Sequence, residues 1–272
     1  MAIIAICRGT KTYGTEMAEC MAERLGYPVL GEEVVRDAAA HLGVTVEDLE
    51  ERLTGRPRLW EPFSAMRRTY LLALRAALAE RVVDGNLVYH GLTGGLLLNE
   101  LPATLTLRCI APLGMRVRAV IKESGMDWDE AERYVRDIDE ARSRWVKAIH
   151  DREIGDPGMY DVVVSLENLT VDAACRMVSG MIAQPEFEIT EDVRSRLKDF
   201  RTACQVMLAL HENEKLRGLE LEADVDGGRV VITGTAPARA SGKIGDRIVE
   251  TARDVPGADD VELKVEWFDP YP

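Results

Sequence analysis

The spacing of apolar residues changes along the chain and separates an N-terminal part from a C-terminal part. In residues 1–184, short runs of consecutive apolar residues such as Ile3–Cys7 and Leu87–Tyr89 alternate with stretches of helical spacing. Such runs are typical of strands buried on both faces, as in a parallel sheet covered by helices. The N-terminal part therefore predicts an α/β domain.

The same pattern predicts the individual elements of this domain. Further strands are expected at residues 103–110 and 161–165. The apolar spacing and the glycine breaks predict helices over residues 17–25, 33–42, 63–83, 129–147 and 171–182. We expect a parallel sheet of four strands with helices on both faces.

Strict alternation of apolar and polar residues marks the C-terminal part. Residues 219–225 and 261–267 alternate in this way, which is typical of strands with one packed face and one solvated face. Asp226-Gly227-Gly228 predicts a hairpin turn after the first of them. With helical stretches before and between the strands, the order helix, strand, strand, helix, strand predicts a small α+β domain.

The break between the two patterns lies near Gln184-Pro185 and is followed by a polar, helix-favouring stretch. We therefore predict a first domain at residues 1–184, a linker at residues 185–199 and a second domain at residues 200–272.

Charge and cysteine usage narrow the class of protein. The chain has 34 Lys and Arg against 47 Asp and Glu, a net charge of −13, which disfavours binding to nucleic acid or anionic lipid. No apolar run approaches the roughly 20 residues of a membrane helix. The five cysteines are scattered and form no CxxC pair, which is typical of a reducing compartment and argues against structural zinc. We expect a cytoplasmic protein with no metal site built from its own side chains.

The segment after the first strand is a candidate phosphate loop. The pattern GxxxxGK[ST] finds Gly9 and Gly14, but Thr15 and Glu16 stand where lysine and serine or threonine belong. Backbone N–H groups at a glycine-bearing loop and a helix N-terminus attract phosphate even so. What is missing is the ammonium for the β- and γ-phosphates and the hydroxyl that ligates Mg²⁺. From these residues alone, a phosphate loop and a plain strand-to-helix turn both remain open.

An ordered set of short motifs extends over much of the chain. It comprises Arg8, Gly14, Glu16, Leu25-Gly26 and Pro28; Val88–Gly94; Ile110–Leu113, Arg116 and Arg118; Asp139 and Arg142; and Asp156-Pro157 with Tyr160–Val163. Through these residues, positions 3–182 resemble the cytidylate-kinase-like family of bacterial P-loop proteins. Departures from the family pattern are Thr15 for a basic residue, Lys11 and Thr12 for small residues, Gly31 for an acidic residue and Leu92 for an arginine.

The resemblance implies a nucleotide-binding protein that uses ATP and Mg²⁺ and transfers phosphate to a nucleoside monophosphate such as CMP. In the implied site, the donor phosphates contact Arg8, Gly9, Lys11, Thr12, Gly14, Thr15 and Glu16. The transferring group contacts Arg116, Arg142 and Arg144. Arg133 and Arg136 are better explained as part of a solvated helix face, because acidic residues are interleaved with them. The alternatives to an active kinase are a catalytically impaired pseudokinase and a purely structural domain that binds no nucleotide.

The residues from about 200 to 268 resemble BON domains. The resemblance is carried by Leu216–Leu219, by Gly234, by Val255–Ala258 and by Val261. It implies a module that binds a membrane or a partner, and the acidic composition favours a protein partner, a small ligand or a second copy of the chain over lipid. In the pseudokinase alternative, nucleotide occupancy of the first domain would regulate that interaction.

Overall fold

The computed structural model of the protein describes residues 2–49, 65–91, 97–98, 100–238 and 241–269. These residues form two compact units. The first unit contains the described residues within Met1–Glu33 and Gly85–Thr190. The second contains those within Val34–Arg52, Pro57–Asp84 and Glu191–Pro272.

The described residues form helices and strands with the following bounds. The helices are α1 (Gly14–Leu25), α2 (Glu32–Leu42), α3 (Ala65–Val82), α4 (Leu113–Ser124), α5 (Trp128–His150), α6 (Val171–Ile182), α7 (Glu191–Glu212) and α8 (Ser241–Arg253). The strands are β1 (Ile3–Arg8), β2 (Val29–Leu30), β3 (Leu87–Gly91), β4 (Thr104–Ile110), β5 (Val162–Ser165), β6 (Glu220–Asp226), β7 (Arg229–Pro237) and β8 (Asp260–Phe268). Short 3₁₀ helices occupy Pro157–Met159 and Pro185–Phe187.

The first unit is built on a five-stranded parallel sheet in the order β2-β3-β1-β4-β5. Ile3–Cys7 of the central strand β1 are at most 1% exposed, as expected for a strand buried on both faces. On one face, Met17 and Met21 of α1 and Cys175 of α6 share a core with the sheet. The α/β architecture with a parallel sheet flanked by helices is confirmed.

Two elements of this unit were missed. Strand β2 has only two residues, too few for any periodic signal. Helix α4 begins directly after Pro112 and carries Arg116 and Arg118 among its apolar residues. Its apolar positions pack against α5 in a small cluster of their own around Val117 and Val135.

The second unit contains a three-stranded sheet in the order β6-β7-β8. Strands β6 and β7 are antiparallel, whereas β7 and β8 are parallel. The hairpin turn is present, and Gly227 and Gly228 have positive φ angles of 56° and 83°, which suit glycine. The order helix, strand, strand, helix, strand is the one predicted for the C-terminal part.

The units divide the chain differently from the domains predicted above. Helix α3 packs on α7 within the second unit, where Arg68 donates to the carbonyl of Leu221 at 2.8 Å. Residues 191–199, part of the predicted linker, form the first turns of α7. The division at residues 185–199 stays a prediction. No helix in the described ranges has both the length and the apolar character needed to cross a membrane.

Candidate functional site

A cavity of about 230 Å³ opens at the carboxyl ends of β1 and β4. The chain leaves β1 towards β2 on one side of the sheet and leaves β4 towards β5 on the other. Strand order therefore reverses between β1 and β4, and ligands of open α/β sheets bind at such a point. The charged side chains of the lining are four arginines and one carboxylate: Arg8, Arg108, Arg116, Arg142 and Asp139. We call this the arginine cavity.

The loop between β1 and α1 forms one wall of the arginine cavity and is closed by its own threonine. The Gly9 N–H donates to the Thr12 hydroxyl at 2.9 Å, and that hydroxyl lies 3.2 Å from the Gly9 carbonyl. Thr12 is only 4% exposed. Lys11 and Tyr13 adopt left-handed backbone conformations, with φ angles of 54° and 60°. The loop therefore satisfies one of the N–H groups that a phosphate loop offers to its ligand.

Glycine is required where this loop meets the helix. A Cβ on Gly14 would lie 2.4 Å from the Cβ of Arg8, closer than any real contact. The Arg8 guanidinium in turn reaches the Thr15 hydroxyl at 3.4 Å. Gly14 thus permits the strand end to approach the first turn of α1, and Thr15 contacts the protein's own arginine.

Arg116 fastens three segments around the arginine cavity. Its Nε donates to the carbonyl of Thr10 at 2.7 Å, and its two terminal nitrogens donate to the two carboxylate oxygens of Asp139, each at 2.7 Å. The residue is 9% exposed. A bidentate pair of this kind fixes geometry as well as charge. Arg116 therefore joins α4, α5 and the loop and positions the wall of the cavity.

Arg142 and Arg8 supply donors that the protein does not use. Arg142 donates through Nη1 to the Thr10 hydroxyl at 3.0 Å. Its Nε and that of Arg8 are buried, and neither has a hydrogen-bond partner among the described residues. Burial lowers the pKa of Arg142, and the positive charge of Arg8 lowers it further. Two partly buried guanidinium groups whose Nε atoms have no acceptor among the described residues favour an anion between or beside them.

Arg108 is a cavity residue that sequence reasoning missed. It donates to the carbonyl of Ile154 and, at 2.9 Å, to the hydroxyl of Tyr160, and its guanidinium carbon lies 5.3 Å from the centre of the Tyr160 ring. The available signal was a charged residue inside a strand whose other residues are all uncharged. Asp139 was recognised as a motif residue, but its pairing with Arg116 across two helices was not predicted.

The remaining predicted residues lie apart from the arginine cavity. Lys11 forms an ion pair with Glu123 at the end of α4. Arg144 is exposed on α5 and pairs with Glu140 one turn earlier. Glu16 is exposed on the first turn of α1. Leu92 lies outside the described residues. The structure brings together Arg8, Gly9, Thr12, Arg116 and Arg142, and it does not bring Arg144 or the Lys11 ammonium to them.

The arginine cavity suits phosphate better than a metal ion. Its carboxylate, Asp139, has both oxygens engaged by Arg116. Within the part of the chain that the structure describes, no group of three His, Cys, Asp or Glu side chains could hold a metal ion. Protein-bound Mg²⁺ relies on one or two carboxylates in addition to substrate phosphates. The residues present do not provide such ligands.

Comparison with known proteins agrees with this architecture. The model of the cytidylate kinase-like family matches residues 3–168. The chain belongs to the cytidylate kinase-like family. The match spans the parallel sheet, the loop, α4 and α5, and therefore includes every residue of the arginine cavity. The protein is therefore nucleotide-kinase-like.

Solved structures similar to this chain share little sequence identity with it. An uncharacterized protein from Eubacterium ventriosum is 19% identical with a TM-score of 0.51, covering 67% of this chain and 98% of that one. TT1252 from Thermus thermophilus is 20% identical with a TM-score of 0.43, covering 67% and 98%. Shikimate kinase from Acinetobacter baumannii is 10% identical with a TM-score of 0.42, covering 69% and 96%. The first likeness concerns the fold alone, and the other two are too distant to support an argument. No curated protein matches this chain.

Proposed function

We propose that this protein binds a nucleoside triphosphate such as ATP with its phosphates in the arginine cavity. The observation that carries the proposal is that the Nε atoms of Arg8 and Arg142 are buried and find no hydrogen-bond partner in the part of the chain that the structure describes. Like charges brought together in a buried place destabilise the unliganded state, and a polyphosphate would offset that repulsion with charge-assisted hydrogen bonds. The position at the reversal of strand order supports the same ligand.

The reaction that this kinase-like site would perform is transfer of the γ-phosphoryl group to a nucleoside monophosphate such as CMP. An oxygen of the acceptor phosphate would form a bond to the γ-phosphorus while the bond to the bridging oxygen breaks and its electrons pass to the β-phosphate. Arg8 and Arg142 would neutralise charge on the equatorial oxygens, and Arg116 would hold the loop. Mg²⁺ would arrive with ATP, since the cavity does not supply protein ligands for it.

A second candidate is a pseudokinase that binds nucleotide without efficient transfer. It is favoured by the Thr12 hydroxyl, which occupies the Gly9 N–H, and by the ion pair that holds the Lys11 ammonium. A P-loop lysine normally contacts the β- and γ-phosphates, and Thr15 provides no charge in its place. Binding would then be retained while the transition state is poorly stabilised.

In that alternative, the α+β part of the second unit would act as a BON-like interaction module for a protein partner or a second copy of the chain. The order of elements from α7 to β8 supports the assignment. Gly234 supports it as well, because a Cβ there would lie 2.0 Å from the Glu220 carbonyl and its φ is 134°.

The five free cysteines suit a reducing, cytoplasmic location.

Calorimetric titration with ATP, with CMP and with both, each with and without Mg²⁺, tests the binding proposal. We expect the wild-type protein to bind ATP and the Arg142→Met variant to lose most of that affinity. Coupled assay of ADP formation with CMP then separates the two candidates, since brisk turnover supports the kinase and binding without turnover supports the pseudokinase. Absence of triphosphate binding under all conditions would overturn both.

A further inference from the structure

His90 lies on the other side of β1 from the arginine cavity. It is the penultimate residue of β3, and in the parallel pairing of β1 with β3 it stands opposite Ile6. It therefore reaches the carboxyl edge of the sheet beside Arg8, whose positive charge acts on the imidazole. A ligand whose phosphates occupy the arginine cavity would have Arg8 between those phosphates and His90.

Gly31 provides the space in which the imidazole lies. A Cβ on Gly31 would lie 2.9 Å from Nε2 of His90 and 3.1 Å from Cε1. The backbone of Gly31 has no positive φ, so it does not need glycine for its conformation. The Gly31 N–H donates to the Glu33 carboxylate at 2.7 Å, which fixes the turn into α2. What glycine provides here is room for the ring.

The imidazole carries a polar atom that the described part of the protein leaves unused. Nδ1 of His90 is buried and has no hydrogen-bond partner among the described residues. A buried polar atom without a partner is costly, and native proteins rarely retain one without a reason. Together with the Nε groups of Arg8 and Arg142, three polar atoms without a partner in the described ranges lie along the carboxyl ends of β1 and β3 and on α5.

We propose that His90 is a specificity-determining residue that hydrogen-bonds through its imidazole to an uncharged polar group of the phosphate-accepting nucleotide. The proposal rests on the proposed nucleotide binding, and it identifies His90 as a residue that contacts the phosphate-accepting nucleotide. The acceptor must approach the transferring phosphoryl group from outside the cavity that holds the donor, and the β3 side of Arg8 is where His90 stands. A hydroxyl of the ribose or a polar edge of the base is the chemistry that such a ring recognises.

The charge state of the ring agrees with an uncharged target. Burial lowers the pKa of His90, and Arg8 on β1 lowers it as well, whereas Glu33 and Glu32 on α2 raise it. The net direction is downward, so the imidazole is neutral at neutral pH. A neutral ring donates from one nitrogen and accepts at the other, and it recognises a neutral hydrogen-bonding group without neutralising a phosphate.

Three variants separate a hydrogen bond to the ligand from a packing role. His90→Gln retains a donor and an acceptor, His90→Leu removes both in a similar volume, and Gly31→Ala displaces the ring while leaving it intact. Affinity for CMP, UMP, AMP and GMP is measured by calorimetry with a non-hydrolysable ATP analogue bound, and affinity for that analogue is measured alone. Thermal midpoints confirm folding.

We expect His90→Leu and Gly31→Ala to weaken binding of the preferred nucleoside monophosphate about tenfold. His90→Gln should stay within about threefold of wild type, and all three should bind the ATP analogue as wild type does. In ¹⁵N-labelled protein, the imidazole nitrogens of His90 should shift on addition of the monophosphate and not on addition of the analogue alone.

Several results would overturn the inference. Monophosphate binding by folded His90→Leu within twofold of wild type would do so, as would equal losses in the Gln and Leu variants, which indicate packing. Wild-type protein that binds the ATP analogue but none of the four monophosphates would refute this inference and leave the proposed function standing. Failure to bind the analogue would instead refute the proposed function, and the inference with it.

Discussion

Replacement of Arg142 separates ligand binding from stability more cleanly than any other change in the arginine cavity. Arg142→Met retains a long, flexible side chain and removes the guanidinium. In the folded protein that guanidinium makes one hydrogen bond to Thr10 at 3.0 Å, while its Nε lacks a partner among the described residues. The substitution therefore removes one satisfied donor, one unsatisfied donor and a buried positive charge.

Arg142→Met should weaken triphosphate binding without lowering the free energy of unfolding. A charge-assisted hydrogen bond to phosphate contributes about 1.5–3 kcal/mol, so triphosphate affinity should fall roughly 10- to 150-fold. The lost bond to Thr10 costs about 0.5–1.5 kcal/mol of stability, whereas relief of an unsatisfied buried donor returns about 1–3 kcal/mol. Relief of repulsion from Arg8 adds to that gain. The free energy of unfolding should stay the same or rise while binding falls.

Calorimetry with ATP and thermal unfolding of the unliganded protein measure the two quantities. Arg136→Met is the matched control, because Arg136 lies on the same helix, is 62% exposed and pairs only with Glu132 among the described residues. It should change ATP affinity less than twofold. Arg144→Met should resemble this control if the cavity is the site, and should resemble Arg142→Met if the sequence-based assignment of Arg144 is right. Unchanged affinity in Arg142→Met, or an affinity loss accompanied by a matching loss of stability, would refute the reasoning.

Four further outcomes follow from the same contacts. Thr12→Ala should release the Gly9 N–H for ligand, tightening ATP binding in calorimetry while lowering the free energy of unfolding by about 0.5–1.5 kcal/mol; weaker binding would contradict this. Asp139→Asn should lower the free energy of unfolding, measured by urea titration, by about 1–3 kcal/mol. This loss is smaller than that for breaking a fully buried ion pair, because the Asp139 side chain is 39% exposed. No change would show that Arg116 needs no counterion. Proteolysis within residues 185–190 should leave the fragments co-eluting in gel filtration, because α3 and α7 belong to one unit, whereas clean separation would support independent domains as predicted from the sequence. Burial and Arg8 lower the pKa of His90 in the folded protein, so on acidification the unfolded chain takes up the proton at a higher pH than the folded chain does. The thermal midpoint should therefore decrease as the pH is lowered from about 7.5 to about 5.5, and it should decrease less in His90→Gln.

The sequence predicted the elements that carry their own periodic signal. Helix α6 has the predicted bounds, Val171–Ile182, because Thr170 caps it and its apolar stripe is complete; the Thr170 hydroxyl accepts from the Ala173 N–H at 3.2 Å. Strand β2 is two residues long and is defined only by its pairing with β3. The grouping of α3 with α7 depends on contacts between distant segments, which no local pattern encodes.

For the candidate site, the sequence located the loop but not the way its charges are arranged. Arg116 and Arg142 were identified through motif positions, and both line the arginine cavity. Arg144 was chosen for the same reason, but it lies two positions from Arg142 on a helix and therefore points to a different side, where it pairs with Glu140. The role of Arg108 depends on Ile154 and Tyr160, which are distant in the chain.

The departures in the loop share one physical consequence. The Lys11 ammonium pairs with Glu123, the Thr12 hydroxyl engages Gly9, and the Thr15 hydroxyl contacts Arg8, so each substituted side chain interacts with the protein itself. In the arginine cavity, the positive charge that no carboxylate of the described residues pairs with belongs to Arg8, Arg108 and Arg142, on β1, β4 and α5. Preorganised arginines of this kind would stabilise charge on a bound phosphate, but none of the three substituted loop side chains places a positive charge where a P-loop lysine contacts the β- and γ-phosphates. Interactions made equally in the ground state and the transition state tighten binding without raising the rate of transfer. The kinase and the pseudokinase therefore differ in one quantity, which is how much more strongly the arginines of the cavity would bind the transition state than the ground state.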